Sequence, residues 1–211
     1  MRSLIIACTG ALLLGGCATL TAEECTTANW QQLGYTDAVA GNPPTRLAQH
    51  YKACTEYGIT PNTAQYEAGH AEGARIYCAP INAFKLGDSG AQPANICPSD
   101  MALTFNNNYT AGRGLFDRRA AVNQSRDAIY SAEREIDSLE NRSTDLQNRL
   151  AYGNPPEPER TAIIVELEDN REDRDRLRND LRRYRDDLRN REDAHDNYRA
   201  RLEFDGMLPG I

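Results

Sequence analysis

The sequence has none of the short signatures that mark a reaction centre. It contains no Gly-x-Ser-x-Gly, no His-Glu-x-x-His, no glycine-rich phosphate loop and no Cys/His pair with a free thiol. Isolated carboxylates such as Asp37, Glu56 and Glu72 read as surface charges when no geometry joins them to a partner. No enzyme is therefore expected, and no cofactor or metal is implied. Positive charge is also short: 24 Lys and Arg face 31 Asp and Glu, for a formal net charge of −7. That disfavours nucleic acid as a partner, because phosphate binding needs a clustered basic surface. No stretch alternates apolar and polar residues convincingly enough to read as a strand. Lysine is absent from Phe116 to Leu202, where arginine alone supplies the positive charge.

Long apolar runs are missing too, and the one at the N-terminus is brief. Arg2 precedes an apolar stretch from Leu4 to Leu14, interrupted by Thr9 and Gly10. A bilayer-spanning helix needs about 20 apolar residues. A secretory leader fits better, with small residues at its cleavage site. Gly15 and Gly16 lead directly into Cys17, and Leu14-Gly15-Gly16-Cys17 resembles a bacterial lipobox. That resemblance implies cleavage before Cys17 and acylation of its thiol, and several acyl chains make a stable membrane anchor where one is marginal. Ala18 stands where an inner-membrane retention signal would place Asp, so the resemblance implies a lipoprotein of the outer membrane; a periplasm-facing one is expected, with the cell-surface face left open. Loss of residues 1–16, which hold one arginine and no acid, takes the formal charge to −8.

This address governs the cysteines. Cys8 leaves with the leader and Cys17 is the lipid site, which leaves Cys25, Cys54, Cys78 and Cys97 in an oxidising compartment. A zinc site would show close C-x-x-C pairs, whereas these four are spaced widely. Two disulfides are expected, with all three pairings open. His50, one helical turn before Cys54, reads as a histidine packed near a disulfide.

Residues 25–116 carry a loose repeat. Gly34-Tyr35-Thr-Asp37-Ala38-Val-Ala-Gly41 is echoed by Tyr66-Glu-Ala-Gly69-His70-Ala-Glu-Gly73 and by Tyr109-Thr-Ala-Gly112. Small residues at this spacing bare one helix face. Three short helices are expected, each with a groove that a neighbour's aromatic ring fills; Trp30, Tyr51, Tyr57, Tyr77 and Phe84 are available. Asn42-Pro43-Pro44 breaks the first helix, Thr45 can cap a second over Arg46 to Glu56, and Gly58 ends it. A third helix starts near Pro61 or Asn62 and runs through Tyr77. Residues 79–98 read as loop.

The order Gly34-Tyr35-x-Asp37, His50-x-x-x-Cys54, Tyr57-Gly58-Ile59, Tyr66-x-x-Gly69-x-x-x-Gly73, Tyr77-Cys78 and Cys97-Pro98, after Cys17-Ala-Thr-Leu, resembles the bacterial lipoproteins grouped as "domain of unknown function 2799". The resemblance covers about residues 17–118. It supports a domain and a lipoprotein, and it implies no chemistry. Ala38 departs from the glycine that often follows the aspartate in that family.

Beyond Phe116 the apolar residues thin to a stripe. Ile129, Ile136, Ser143 and Leu150 recur every seven residues, and Ala132, Leu139 and Leu146 follow three positions on. This is a heptad seam. Tyr152-Gly153-Asn154-Pro155-Pro156 breaks it. A second seam runs through Ile163, Leu167, Asn170, Arg174, Leu177, Leu181, Tyr184, Leu188, Arg191, His195, Tyr198 and Leu202. A short break between two seamed helices favours an antiparallel hairpin.

The expected protein is all-α: a leader over residues 1–16, a small disulfide-stapled domain of short helices over 17–118, and a coiled-coil hairpin over 119–204. The hairpin comprises helices over 119–152 and 157–203, and residues 205–211 are expected to form a flexible tail. The expected role is structural or protein-interacting, at the membrane through the lipid anchor and with a protein partner or a second copy through the coiled coil. The alternative is a module binding a small molecule or cell-wall fragment in the Tyr/Gly grooves.

Overall fold

Side-chain caps set where the first helices begin. The computed structural model describes residues 20–208, which divide into two compact units: 20–82 with 93–105, and 83–92 with 106–208. Cys17 and the leader lie outside the described residues.

In the first unit, Thr21 and Glu24 form a reciprocal capping box at the head of α1 (Ala22–Thr27), and Asn29 caps α2 (Trp30–Val39). A 3-10 turn (Pro44–Arg46) leads into α3 (Leu47–Thr55). Thr45 sits inside that turn and does not cap α3, whose first residue follows Arg46 with no side-chain cap. Gly58, at φ 74°, takes the left-handed conformation that ends α3. Asn62 caps α4 (Thr63–Tyr77) by accepting from the Gln65 N–H.

The disulfides are Cys25–Cys54, joining α1 to α3, and Cys78–Cys97, closing the segment after α4. Cys25, Trp30, Leu47, Cys54 and Tyr66 form one buried cluster. Tyr77 stacks on Phe105 at 5.9 Å between ring centroids, and its hydroxyl accepts from the Ala94 N–H.

Two expectations change here. Residues 79–98 are not all loop: α5 spans Pro80–Asp88. Pro80 sits in the first turn, where its missing N–H costs nothing. The first hairpin helix does not begin near residue 119 either, because α6 runs unbroken over Ser99–Tyr152. In the fold, a Cβ at Gly112 would lie 2.1 Å from the Phe84 carbonyl oxygen, and one at Gly114 would lie 2.5 Å from the Tyr198 hydroxyl. Both glycines are sites of close approach on a helix face.

In the second unit α6 pairs with α7 (Glu157–Phe204) as an antiparallel hairpin. At about 1.5 Å per residue, α7 alone is some 70 Å long. Every second-seam residue is buried or half-buried, as are Ile129, Ala132, Ile136, Leu139, Ser143, Leu146 and Leu150. The seam also continues earlier than expected, through Ala111, Leu115, Val122 and Ser125. Three of its polar positions are matched across the helices, whereas the buried Arg174 Nε has no partner among the described residues. Asn170 donates to the Ser143 hydroxyl at 3.4 Å, Ser125 donates to Asp187 at 2.7 Å, and Arg191 donates to the Ala121 carbonyl at 2.9 Å. The Ser125 hydroxyl, followed by Arg191, holds the Asp187 carboxyl below its ordinary range.

Charge ladders flank the seam at heptad spacing. Arg126–Glu192, Glu133–Arg185 and Glu140–Arg178 line one side, and Arg142–Glu166 and Arg149–Glu159 line the other. On the outer face of α7, acids pair with arginines three residues on, as in Asp180–Arg183 and Asp186–Arg189. Exposed pairs of this kind contribute little each, about 0.2–1 kcal/mol. Their pattern favours the observed register at one point, where a one-heptad slip would set Arg126 against Arg185 or Glu133 against Glu192.

Candidate functional site

The buried polar centre of the first unit gathers around Asp37. This residue lies in the last turn of α2, where α3 and α4 converge, and it is only 7% exposed. Oδ2 accepts from His50 Nε2 at 2.8 Å and from the Tyr66 hydroxyl at 2.8 Å. Oδ1 faces Arg46 Nε at 3.0 Å and Asn42 Nδ2 at 3.4 Å. The Arg46 contact is an ion pair whose N–H is poorly aligned for a hydrogen bond. His70 Nε2 binds the Asn42 carbonyl at 2.8 Å. A carboxylate accepts and does not donate, so His50 carries its proton on Nε2. Its Nδ1 is buried and has no hydrogen-bond partner among the described residues. Burial, reinforced by the bond to Asp37, raises the Tyr66 phenol well above its ordinary range.

The arrangement contains an Asp–His pair, which invites a catalytic reading. Its surroundings are those of a closed, hydrogen-bonded core. The nearest cysteine along α3, Cys54, is consumed in a disulfide, and Tyr66 points its hydroxyl at Asp37. His50 is 2% exposed and Tyr66 is 0% exposed, so no solute reaches them unless the helices part. The node ties α2, the 3-10 turn, α3 and α4 through one carboxylate. Satisfied networks of this kind specify a unique core, and removing one member strands the rest.

The Tyr/Gly residues are brought together, but not as expected. A Cβ at Gly34 would lie 2.0 Å from the Tyr66 carbonyl oxygen, and one at Gly69 would lie 1.8 Å from that of Gln31. Each glycine therefore receives the carbonyl three residues before the other. Gly73 receives the Tyr35 carbonyl in the same way. The same exchange recurs in the second unit, where Gly87 meets the Tyr109 carbonyl and Gly112 meets that of Phe84. The repeat is thus two reciprocal helix crossings, α2 with α4 and α5 with α6. At these glycines the faces are filled by helix backbone and not by aromatic rings, so they offer no groove to a ligand. Of the five rings expected to fill these faces, Tyr77 lies against a described glycine, Gly41 at φ 81°. Tyr35 is half-buried, and the half-buried Tyr109 donates to the Ala91 carbonyl.

Asp37 is thus no surface charge, whereas Glu56 and Glu72 are exposed. One signal in the sequence foreshadowed the node: Arg46, His50 and Cys54 lie four residues apart, on one helix face. Asp37 and Tyr66 reach that face only by tertiary folding. Among the described residues no cluster of three or more His, Cys, Asp or Glu could hold a metal ion.

Comparison with known families supplies one match, over residues 29–114, to the family described as "Protein of unknown function (DUF2799)". That segment is a DUF2799 domain. It contains the Asp37 node, both glycine crossings and the Cys78–Cys97 disulfide, while Cys25 and most of the hairpin lie outside it. Ala38, where the resemblance expected glycine, is fully buried, and its methyl lies against Gly73. No curated protein and no solved structure matches the chain. Among the described residues no helix is long and apolar enough to cross a membrane. Two disulfides beside a DUF2799 core fit an extracytoplasmic compartment.

Proposed function

We propose that this chain is a lipid-anchored protein of the bacterial cell envelope with a structural or protein-interaction role. Cys17 carries the acyl chains, the DUF2799 domain is the stapled body, and the hairpin is the contact element. The observation that supports this reading most is the self-sufficiency of the hairpin. Its seam is filled by its own two helices, its flanking charges pair internally, and the outer face of α7 carries its own acid–arginine pairs. A closed rod of this kind serves as a spacer or a docking rod. Further apolar contact is open at its tip, where Tyr152, Ile164 and Val165 are exposed.

Two experiments test the reading. Metabolic labelling with a fatty-acid analogue should tag the wild-type chain and lose the tag in Cys17→Ala. A photo-crosslinker placed at Tyr152 in cells should give a discrete adduct that disappears when the exposed tip residues Ile164 and Val165 are changed to Asp. A labelled Cys17→Ala variant, or a tip that crosslinks to nothing, overturns the anchor and the interaction role respectively.

A further inference from the structure

The second unit carries a surface cavity that the hairpin seam does not use. It has a volume of about 530 Å3 and lies where α5, α6, α7 and the segment after α7 meet. Phe84, Leu115 and Leu208 floor it, continuous with the buried cluster of Phe84, Ala111, Leu115 and Leu202. Its rim carries Lys85, Arg119, Arg199 and His195 against a single acid, Asp88. Arg119 already spends its guanidinium on that acid, donating to the Asp88 carboxylate at 2.9 Å and to its carbonyl at 2.6 Å. Lys85 and Arg199 are exposed, and their side chains bond to no other described residue. His195 turns Nδ1 to Asp196, which leaves Nε2 as a further donor or acceptor.

An uncompensated cationic rim over an apolar floor is unusual in a chain of net charge −7 whose other arginines are largely paired with acids. A cavity of this size falls within the range of small-ligand sites. A second cavity of about 490 Å3 adjoins it along the α6–α7 groove, sharing Arg119 and His195. There Asp193 and Asp196 line the wall, so an anionic group is favoured only at the Lys85 end.

We infer that this cavity binds a single-chain amphiphilic anion, with its carboxylate between Lys85 and Arg199 and its hydrocarbon chain on Phe84, Leu115 and Leu208. The inference does not depend on the anchor or on the partner of the hairpin.

The test uses the full chain with both disulfides intact and titrates sodium dodecanoate below its micelle concentration by calorimetry. Saturable binding at one site per chain is expected. Dodecyltrimethylammonium, of equal chain length and opposite charge, should bind at least tenfold more weakly. The double variant Lys85→Glu/Arg199→Glu alters two exposed residues, so it should keep its helical circular dichroism and lose at least tenfold in dodecanoate affinity. Equal binding of anion and cation, an unchanged affinity in the double variant, or no saturable binding overturns the inference. So does association with anionic phospholipid vesicles in the absence of monomer binding, which would mark the rim as a membrane-facing patch.

Discussion

The first unit and the α6–α7 hairpin hold their helices together in opposite ways. In the first, helices touch backbone to backbone: Gly34 and Gly69 let α2 and α4 exchange carbonyl contacts, a carboxylate locks the crossing, and disulfides close it. In the hairpin, helices touch through side chains at heptad spacing, with small apolar increments spread over many turns. The first arrangement concentrates its stability in a few irreplaceable atoms. The second distributes it, so single changes should be tolerated. The lesson is that a small core with few apolar residues relies on close approach and staples, whereas a long seam relies on repetition.

The sharpest way to break the contrast is Gly69→Val. Its Cβ would overlap the Gln31 carbonyl, and a backbone group cannot rotate away. The first unit should lose about 3 kcal/mol or more, read as a lost near-ultraviolet signal while the hairpin's helical signal at 222 nm persists. Replacing Cys25 and Cys54 by serine opens a loop of 29 residues, at a cost of about 3–4 kcal/mol on the chain-entropy account. Thermal melts should show the first unit falling well before the hairpin, which contains no cysteine.

Tyr66→Phe leaves Asp37 short of one donor and should cost about 1–3 kcal/mol in chemical denaturation. The same residue sets an alkaline limit. Its phenol is raised on folding, so its contribution is intact below the ordinary phenol value of 10.0 and is lost as pH rises above it. Wild type should therefore weaken above that pH more steeply than Tyr66→Phe; parallel curves would remove Tyr66 from the account.

Within the hairpin, Asn170→Leu replaces a polar seam residue and should raise the hairpin's melting temperature, by about 1 kcal/mol of stability. A fall would mean that the Asn170–Ser143 bond outweighs packing. The smallest effect belongs to Glu133→Ala, which removes one exposed ion pair with Arg185 and should cost less than about 1 kcal/mol. A larger loss would show that the ladder acts as a unit.

Much of the hairpin was legible because its information is periodic: steps of three and four name the seam residues with no knowledge of the partner helix. Its start differs from the expectation, since the Tyr109–Gly112 copy of the repeat reads as a short helix of the stapled domain and in fact belongs to α6, which begins at Ser99. The repeat of tyrosine and glycine was visible as a pattern, and its meaning was not. A bare helix face accepts a ring or a backbone equally well in sequence. The Asp37 node was nearly illegible, because Asp37, His50 and Tyr66 are separated by 13 and 29 residues from one another's bonds.

The sequence by itself determined that this protein is helical, that four cysteines are free to pair, and that two long helices share a heptad seam. Those properties are local or periodic, written in spacing and composition. Tertiary structure alone decided which cysteines join, that the glycines bring backbones into contact, and that Asp37 is the buried centre of the DUF2799 domain. Each of these depends on which distant groups meet, and the free energy of that meeting is spread over the whole core.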